Sequence, residues 1–236
     1  MGWDAAARVL RGEAEFAPAP VARPAVNLLP AAERRRAAPT VAWALAAAQE
    51  AVANSGLDAA QLAAVFASSD GDGDIVHRLC TALAAPAAAV SPTDFHNSVH
   101  NAVPGYWSIG ARSPAPSTAV CAYDGSFAAG LLEAACQVAA EAQPVLLVAV
   151  DLPFPPPLAA HRPVRHGFAA ALVLQPGEGL EISVSVDGAP TASPLPDFKG
   201  NAAAAGLPLL AALARPGAAV VRLPLDGAVL QVRKSG

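Results

Sequence analysis

Residues 114–151 read PAPSTAVCAYDGSFAAGLLEAACQVAAEAQPVLLVAVD, and their pattern decides the fold. Ser117 to Cys121 is a short β-like run. A tight corner follows at Tyr123-Asp124-Gly125. Ser126 to Ala142 then carries apolar residues at helical period, and Pro144 to Val150 is a second, wholly apolar strand. Strand, elbow, helix, strand is a βαβ unit, with its functional end at the C-terminus of the first strand. A nucleophile at such an elbow is exposed by the sharp turn and faces the positive end of the helix dipole. The elbow candidates are Cys121, Ala122, Tyr123 and Ser126. Gly-x-Ser-x-Gly is absent, so Ser126 reads as the N-cap or first residue of the helix. Cys121 is either a small buried core residue or a thiolate lowered by the helix N-terminus. The thiolate reading needs a base, and histidine occurs only at His77, His96, His100, His161 and His166.

Working outward, SPTDFHNSVHNAVPGYWSIG (residues 91–110) sets His96 and His100 four apart, with Asn97 and Asn101 beside them. On one helix the two imidazoles would share a face, as zinc ligands do. No third ligand follows at a known spacing. The other readings are a polar helix start bonded to backbone, or a polar wall facing a partner. Tyr106 and Trp107 add bulky apolar surface, as core or as interface. In SSDGDGD (68–74) the acids Asp70, Asp72 and Asp74 alternate as in a calcium loop, but the distal glutamate of that loop is missing. Asp74 is the expected cap of a helix from Ile75 to Leu83.

The remaining elements follow by period and punctuation. Residues 1–39, broken by Pro18, Pro20, Pro24, Pro30 and Pro39, read as irregular apart from one helical turn between Trp3 and Arg11. Glu33 to Arg36 reads as a solvated stretch before a helix, or as a docking point for an acidic surface. A helix over 40–55 has Thr40 as cap and Gly56 as stop. Leu62 to Ser68 is a short strand. Phe168 to Leu174 and Leu180 to Val186 read as one hairpin around Pro176 to Gly179. Ala189 to Phe198 reads as loop, and Asn201 to Ala214 as a last helix. Val220 to Pro224 and Ala228 to Val232 close the chain as a hairpin around Asp226-Gly227.

Composition narrows the function. Apolar residues make up 54 % of the 236 and charged residues 14 %. So little charge points to surface covered by a partner, or to a high-GC genome that inflates Ala, Pro and Val. With net charge −4 and two lysines, nucleic acid is not an expected partner. Three cysteines without metal spacing fit reduced thiols in a cytosolic protein. Asp4, Arg8, Arg11 and Glu13 occupy the place of a secretory apolar core, so no signal peptide is expected and the localisation is read as cytoplasmic. The run Val145 to Val150 is too short to span a bilayer.

The run from Ser91 through the elbow resembles the N-terminal half of a β-ketoacyl synthase over roughly residues 40 to 175. In that family a Ser-Pro loop leads to a helix carrying an Asn and a following Gly. A strand then ends in Ala-Cys-Ala-x-Gly and opens a long helix. The block FHNSVHNAVPGYWSI is similar to a short ketosynthase-like group associated with aryl polyene biosynthesis, whose members act as chain-length-factor subunits. The resemblance implies an α/β, thiolase-like layered sheet with helices, truncated relative to full-length ketosynthases. It implies one ketosynthase-like domain over 1–236: an irregular segment 1–39, a core 40–186 and a C-terminal extension 187–236. Setting Gly125 on the family glycine puts Ala122 on the nucleophile and Cys121 on the small residue before it. The family's two histidines and lysine belong to its second half, and no histidine follows His166. Without thiolate and imidazoles, decarboxylative condensation cannot run. The resemblance thus implies a non-catalytic subunit without cofactor or metal, paired with a full-length β-ketoacyl synthase and meeting acyl carrier protein indirectly. Ser117, Thr118 and Val120 would lie on the strand that pairs across the dimer. His96, Asn97, His100, Asn101, Tyr106, Trp107 and Phe127 are its tunnel or interface candidates. Two alternatives stand beside it. One is an acyltransferase or thioesterase using Cys121 with His96 or His100. The other is a carrier-protein docking module using Arg34 to Arg36, or Arg162 and Arg165.

Overall fold

The computed structural model describes residues 1–18, 23–87 and 89–236; Pro20, one of the expected chain breaks, lies outside them. The helices in order are α1 (Trp3–Arg11), α2 (Ala31–Arg36), α3 (Pro39–Ser55), α4 (Gly73–Ala84), α5 (Pro92–Asn97), α6 (Ala102–Ala111), α7 (Ser126–Glu141), α8 (Leu158–His161) and α9 (Leu207–Leu213). The strands are β1 (Ala63–Ala67), β2 (Ser117–Val120), β3 (Val145–Asp151), β4 (Phe168–Leu174), β5 (Leu180–Ser185), β6 (Ala219–Leu225) and β7 (Ala228–Lys234). They form two sheets, in the orders β2-β1-β3-β4 and β5-β7-β6.

β3 is apolar at every position up to Asp151 because both of its faces are covered, and all seven residues are buried. It runs parallel to β1, and β1 runs parallel to β2. The βαβ unit therefore exists with β1 lying between its two strands. α3 and α6 cover one face of this sheet, where Val41, Leu45, Phe66, Trp107, Leu146 and Val148 form a core. α7 and the second sheet cover the other, around Val65, Phe127, Leu131, Leu147, Leu223 and Leu230. The fold is an α/β layering of sheets with helices.

Close packing of α7 on the sheet depends on Gly130. A Cβ there would stand 2.7 Å from the Ala67 Cβ and 3.1 Å from the Leu147 Cδ1. Gly130→Val is expected to cost about 2–3 kcal/mol through overpacking, read as a lower urea midpoint.

Several expectations are corrected. Phe168–Leu174 and Leu180–Ser185 are not a hairpin: β4 pairs antiparallel with β3, and β5 pairs with β7 in the other sheet. Phe168–Leu174 is apolar at every position and Leu180–Ser185 alternates, and neither pattern names its partner strand. Since β5 joins β6 and β7, a boundary at residue 187 cuts through the second sheet. The closing hairpin forms as expected, with Leu225 opposite Ala228 and Gly227 at φ +67°. Trp3–Arg11 is a full helix, and residues 31–36 form one of their own. Thr40 does not cap α3, which starts at Pro39; its hydroxyl donates to Asp72 Oδ2 at 2.9 Å. Asp72, not Asp74, caps α4 by accepting from the Ile75 N–H at 3.1 Å. The last helix is split, with a 3-10 turn (Ala203–Gly206) before α9.

Candidate functional site

The C-terminal ends of β1, β2 and β3 meet at one end of the sheet, where open α/β folds carry their chemistry. β2 stops at Val120. Ala122 (φ −144°, ψ 42°) and a 3-10 turn at Tyr123–Gly125 make the corner into α7. Tyr123 holds φ +48°, a left-handed conformation unusual for an aromatic residue. Ser126 is the first residue of α7. Its hydroxyl donates to the Tyr123 carbonyl at 2.6 Å and accepts from the Ala122 N–H at 3.0 Å. It is spent on holding the corner. Gly125 lets the corner approach the second sheet: a Cβ would sit 3.3 Å from the Pro224 carbonyl oxygen.

Cys121 is exposed rather than pointing into the core, because the chain leaves the strand before it. Its Sγ lies 3.0 Å from the Ser69 carbonyl oxygen and donates to it. Ala122, on the nucleophile position of the resemblance, carries no reactive group.

Asp151, which sequence reasoning passed over, and Arg162, which it read as a docking residue, organise this end. Asp151 closes β3 and is 3 % exposed. Its Oδ1 accepts from the Ser69 N–H (2.8 Å) and from the hydroxyls of Ser69 (2.9 Å) and Ser68 (3.0 Å). Its Oδ2 accepts from the Ala203 N–H at 2.8 Å. Burial pushes its carboxyl above the ordinary range, against the pull of these donors. Asn201 Nδ2 donates to both the Asp151 and the His166 carbonyls at 3.0 Å, joining the same knot. Arg162 lies 2.7 Å from Asp70 Oδ2 and 3.0 Å from Asp124 Oδ1, with its guanidinium 4.0 Å from the centre of the Tyr123 ring. Its side chain is 13 % exposed. Arg162 is therefore an internal tie across the elbow, which corrects its reading as a carrier-docking residue. One signal was available: an acid ending a wholly apolar strand must find donors.

The acidic run does not converge on an ion. Asp70 pairs with Arg162, Asp72 caps α4, and Asp74 is exposed. Among the described residues, no group of three or more His, Cys, Asp or Glu side chains is placed to hold a metal. His96 lies in α5 and His100 in the turn after it, both exposed, so the helix break removes the shared face. His96 meets the Tyr106 ring edge-on at 5.8 Å. Asn97 is buried and ties α5 to α2, donating to the Arg36 (3.0 Å) and Thr93 (2.9 Å) carbonyls. Asn101 is exposed and precedes α6 without a side-chain cap. Tyr106, Trp107 and Phe127 are 1–2 % exposed inside this one chain, so they are core and offer no surface to a partner. Ser117, Thr118 and Val120 do lie on an edge strand, whose only strand neighbour among the described residues is β1.

The β-ketoacyl synthase N-terminal domain model matches residues 3–221, and the chain belongs to that family. Among solved structures, it resembles a chain from the complex of the ketosynthase ApeO with its chain length factor ApeC from Xenorhabdus doucetiae. The TM-score is 0.70 at 22 % identity, over 98 % of this chain and 91 % of that one. It also resembles a chain from AntDE:AntF, a type II polyketide synthase acyl-carrier protein in complex with its ketosynthase bound to the hexaketide. That match has TM-score 0.73 at 13 % identity, over 88 % of this chain and 86 % of that one. A β-ketoacyl synthase from Burkholderia phymatum STM815 matches at TM-score 0.58 and 14 % identity, over 76 % of this chain and 59 % of that one. At these identities the likeness is one of fold. No curated protein matches the chain. Among the described residues, no helix is long and apolar enough to cross a membrane.

Proposed function

We propose that this chain is a non-catalytic, chain-length-factor-like subunit that pairs with an active β-ketoacyl synthase in polyene, polyketide or fatty-acid-type synthesis. The elbow carries this reading. The position where the family's nucleophile would stand is Ala122, and the mouth beside it is tied by Arg162 to Asp70 and Asp124. Condensation needs a thiolate to take the acyl group and donors to hold the developing enolate, and this elbow supplies neither. The near-complete coverage of both chains in the ApeO–ApeC match supports a protein of this length acting within such a pair. The bare edge of β2 offers backbone groups for a sheet continued across the two subunits.

The test is co-expression with the ketosynthase encoded beside it, followed by native mass measurement. A one-to-one complex is the expected result. A stable monomer beside an independent ketosynthase dimer would contradict the proposal. The acyl-transfer reading keeps one observation in its favour, the exposure of Cys121. It predicts that an acylating thiol reagent labels Cys121 faster than Cys80 or Cys136; equal, slow labelling of all three removes it.

A further inference from the structure

A cavity of about 840 Å³ lies on the side of the first sheet opposite β2. It shares no residue with the elbow. Consecutive residues from Phe168 to Val173 line it. Neighbouring side chains of a strand point to opposite faces, so a space lined by all of them runs along the strand's edge. Among the described residues β4 has β3 on one side and no strand on the other, and the cavity follows that edge. One wall is α3, with Trp43, Ala47 and Ala51; the other holds Phe198, Leu207 and Leu210.

α1 straps the slot. Its Trp3 N–H donates to Glu50 of α3 at 2.5 Å, and the Arg215 guanidinium, beyond α9, donates to the Leu10 carbonyl. Trp3 and Leu10 line the cavity beneath the strap. The floor is narrow because Ala169, Ala170 and Ala171 carry only methyl groups. At about 3.4 Å per residue, the seven residues of β4 give a length of about 24 Å. A volume in the usual range for ligand sites, stretched over that length, suits a linear molecule. Where β4 begins, the Arg165 side chain is 74 % exposed and only loosely paired with Asp197, at 3.6 Å. That end offers an exposed cation, held only loosely by Asp197, to an anionic group.

We infer that this slot binds one extended hydrocarbon chain ending in an anion, of the long-chain carboxylate class, with the chain along β4 between α3 and α9 and the anion at Arg165. The inference stands independently of the role proposed for the elbow.

The test uses the full chain and a dansyl-labelled undecanoic acid. Saturable fluorescence enhancement is expected, reversed by palmitate. Ala171→Trp fills the floor and is expected to abolish uptake. Ala51→Phe fills the slot from the opposite wall and serves if the first variant does not fold, as judged by circular dichroism. Arg165→Glu is expected to weaken palmitate about fivefold or more while leaving hexadecanol unchanged, the range of an exposed ion pair. The proposal is overturned if the free probe shows no saturable binding or if a folded, filled variant binds as wild type does. Uptake only from anionic phospholipid vesicles would also overturn it, as would indifference of palmitate to Arg165→Glu.

Discussion

Asp151→Ala is expected to destabilise the chain more than any other single change at the candidate site. It removes the acceptor of two buried backbone N–H groups, Ser69 and Ala203, together with two serine hydroxyls. Leaving those two N–H groups unpaired costs about 1–3 kcal/mol each, so the loss is about 2–6 kcal/mol. That is a large share of the 5–15 kcal/mol typical of a folded domain. Asp151→Asn keeps one oxygen but turns an amide N–H towards the Ala203 N–H, so it loses about 1–3 kcal/mol. The pH dependence has a definite sign. Burial raises the folded carboxyl above its unfolded value, so the native state binds the proton more tightly. The contribution of Asp151 is then fullest in acid and falls as pH rises through the raised folded value. Urea midpoints measured from the ordinary carboxylate range, about pH 4, up to neutral pH will show this fall in the wild type. Asp151→Asn should abolish it, and a slope that survives the substitution would assign the effect to another group.

Ala119→Pro is expected to abolish pairing with the ketosynthase while leaving the chain folded. The Ala64 N–H donates to the Pro116 carbonyl and the Ser68 N–H to the Val120 carbonyl. By the two-residue repeat of a parallel ladder, Thr118 and Val120 turn their backbone groups towards β1. Ser117 and Ala119 turn theirs outward. Proline at 119 removes an outward donor and sets a ring where a partner strand would lie. Its melting temperature should stay near wild type, and the complex should weaken by about 100-fold or more, close to 3 kcal/mol. Thr118→Pro breaks the ladder to β1 instead, and should lower stability before association is tested. An Ala119→Pro protein that pairs normally would show that β2 is not the shared edge.

Much of the fold was legible from the sequence, for identifiable reasons. An unbroken apolar run such as Val145 to Val150 can only be covered on both faces. Gly56 and Asp226-Gly227 mark stops that need left-handed backbone, and both positions hold it: Gly56 has φ +70° and Gly227 φ +67°. Strand pairing was less legible, because the apolar run 168–174 and the alternating run 180–185 identify strands without naming their partners. Asp72 and Asp74 are equally good caps on paper, and the position of α4 chose between them. At the site, the resemblance sets Ala122 on the nucleophile position by placing the glycine of the corner. Asp151 was missed, and Arg162 was read as a docking residue, because the partners of each lie far away in sequence. Tyr106, Trp107 and Phe127 look the same in sequence whether they fill a core or face a partner. Burial within one chain separates the two.

The most direct measurement is intact-mass analysis of the co-expressed pair after incubation with an acyl-carrier thioester. The acyl mass should appear on the ketosynthase alone, with this chain unmodified. A stoichiometric acyl adduct on this chain, mapped to Cys121, would contradict the non-catalytic assignment and restore the thiol as the group that does the chemistry.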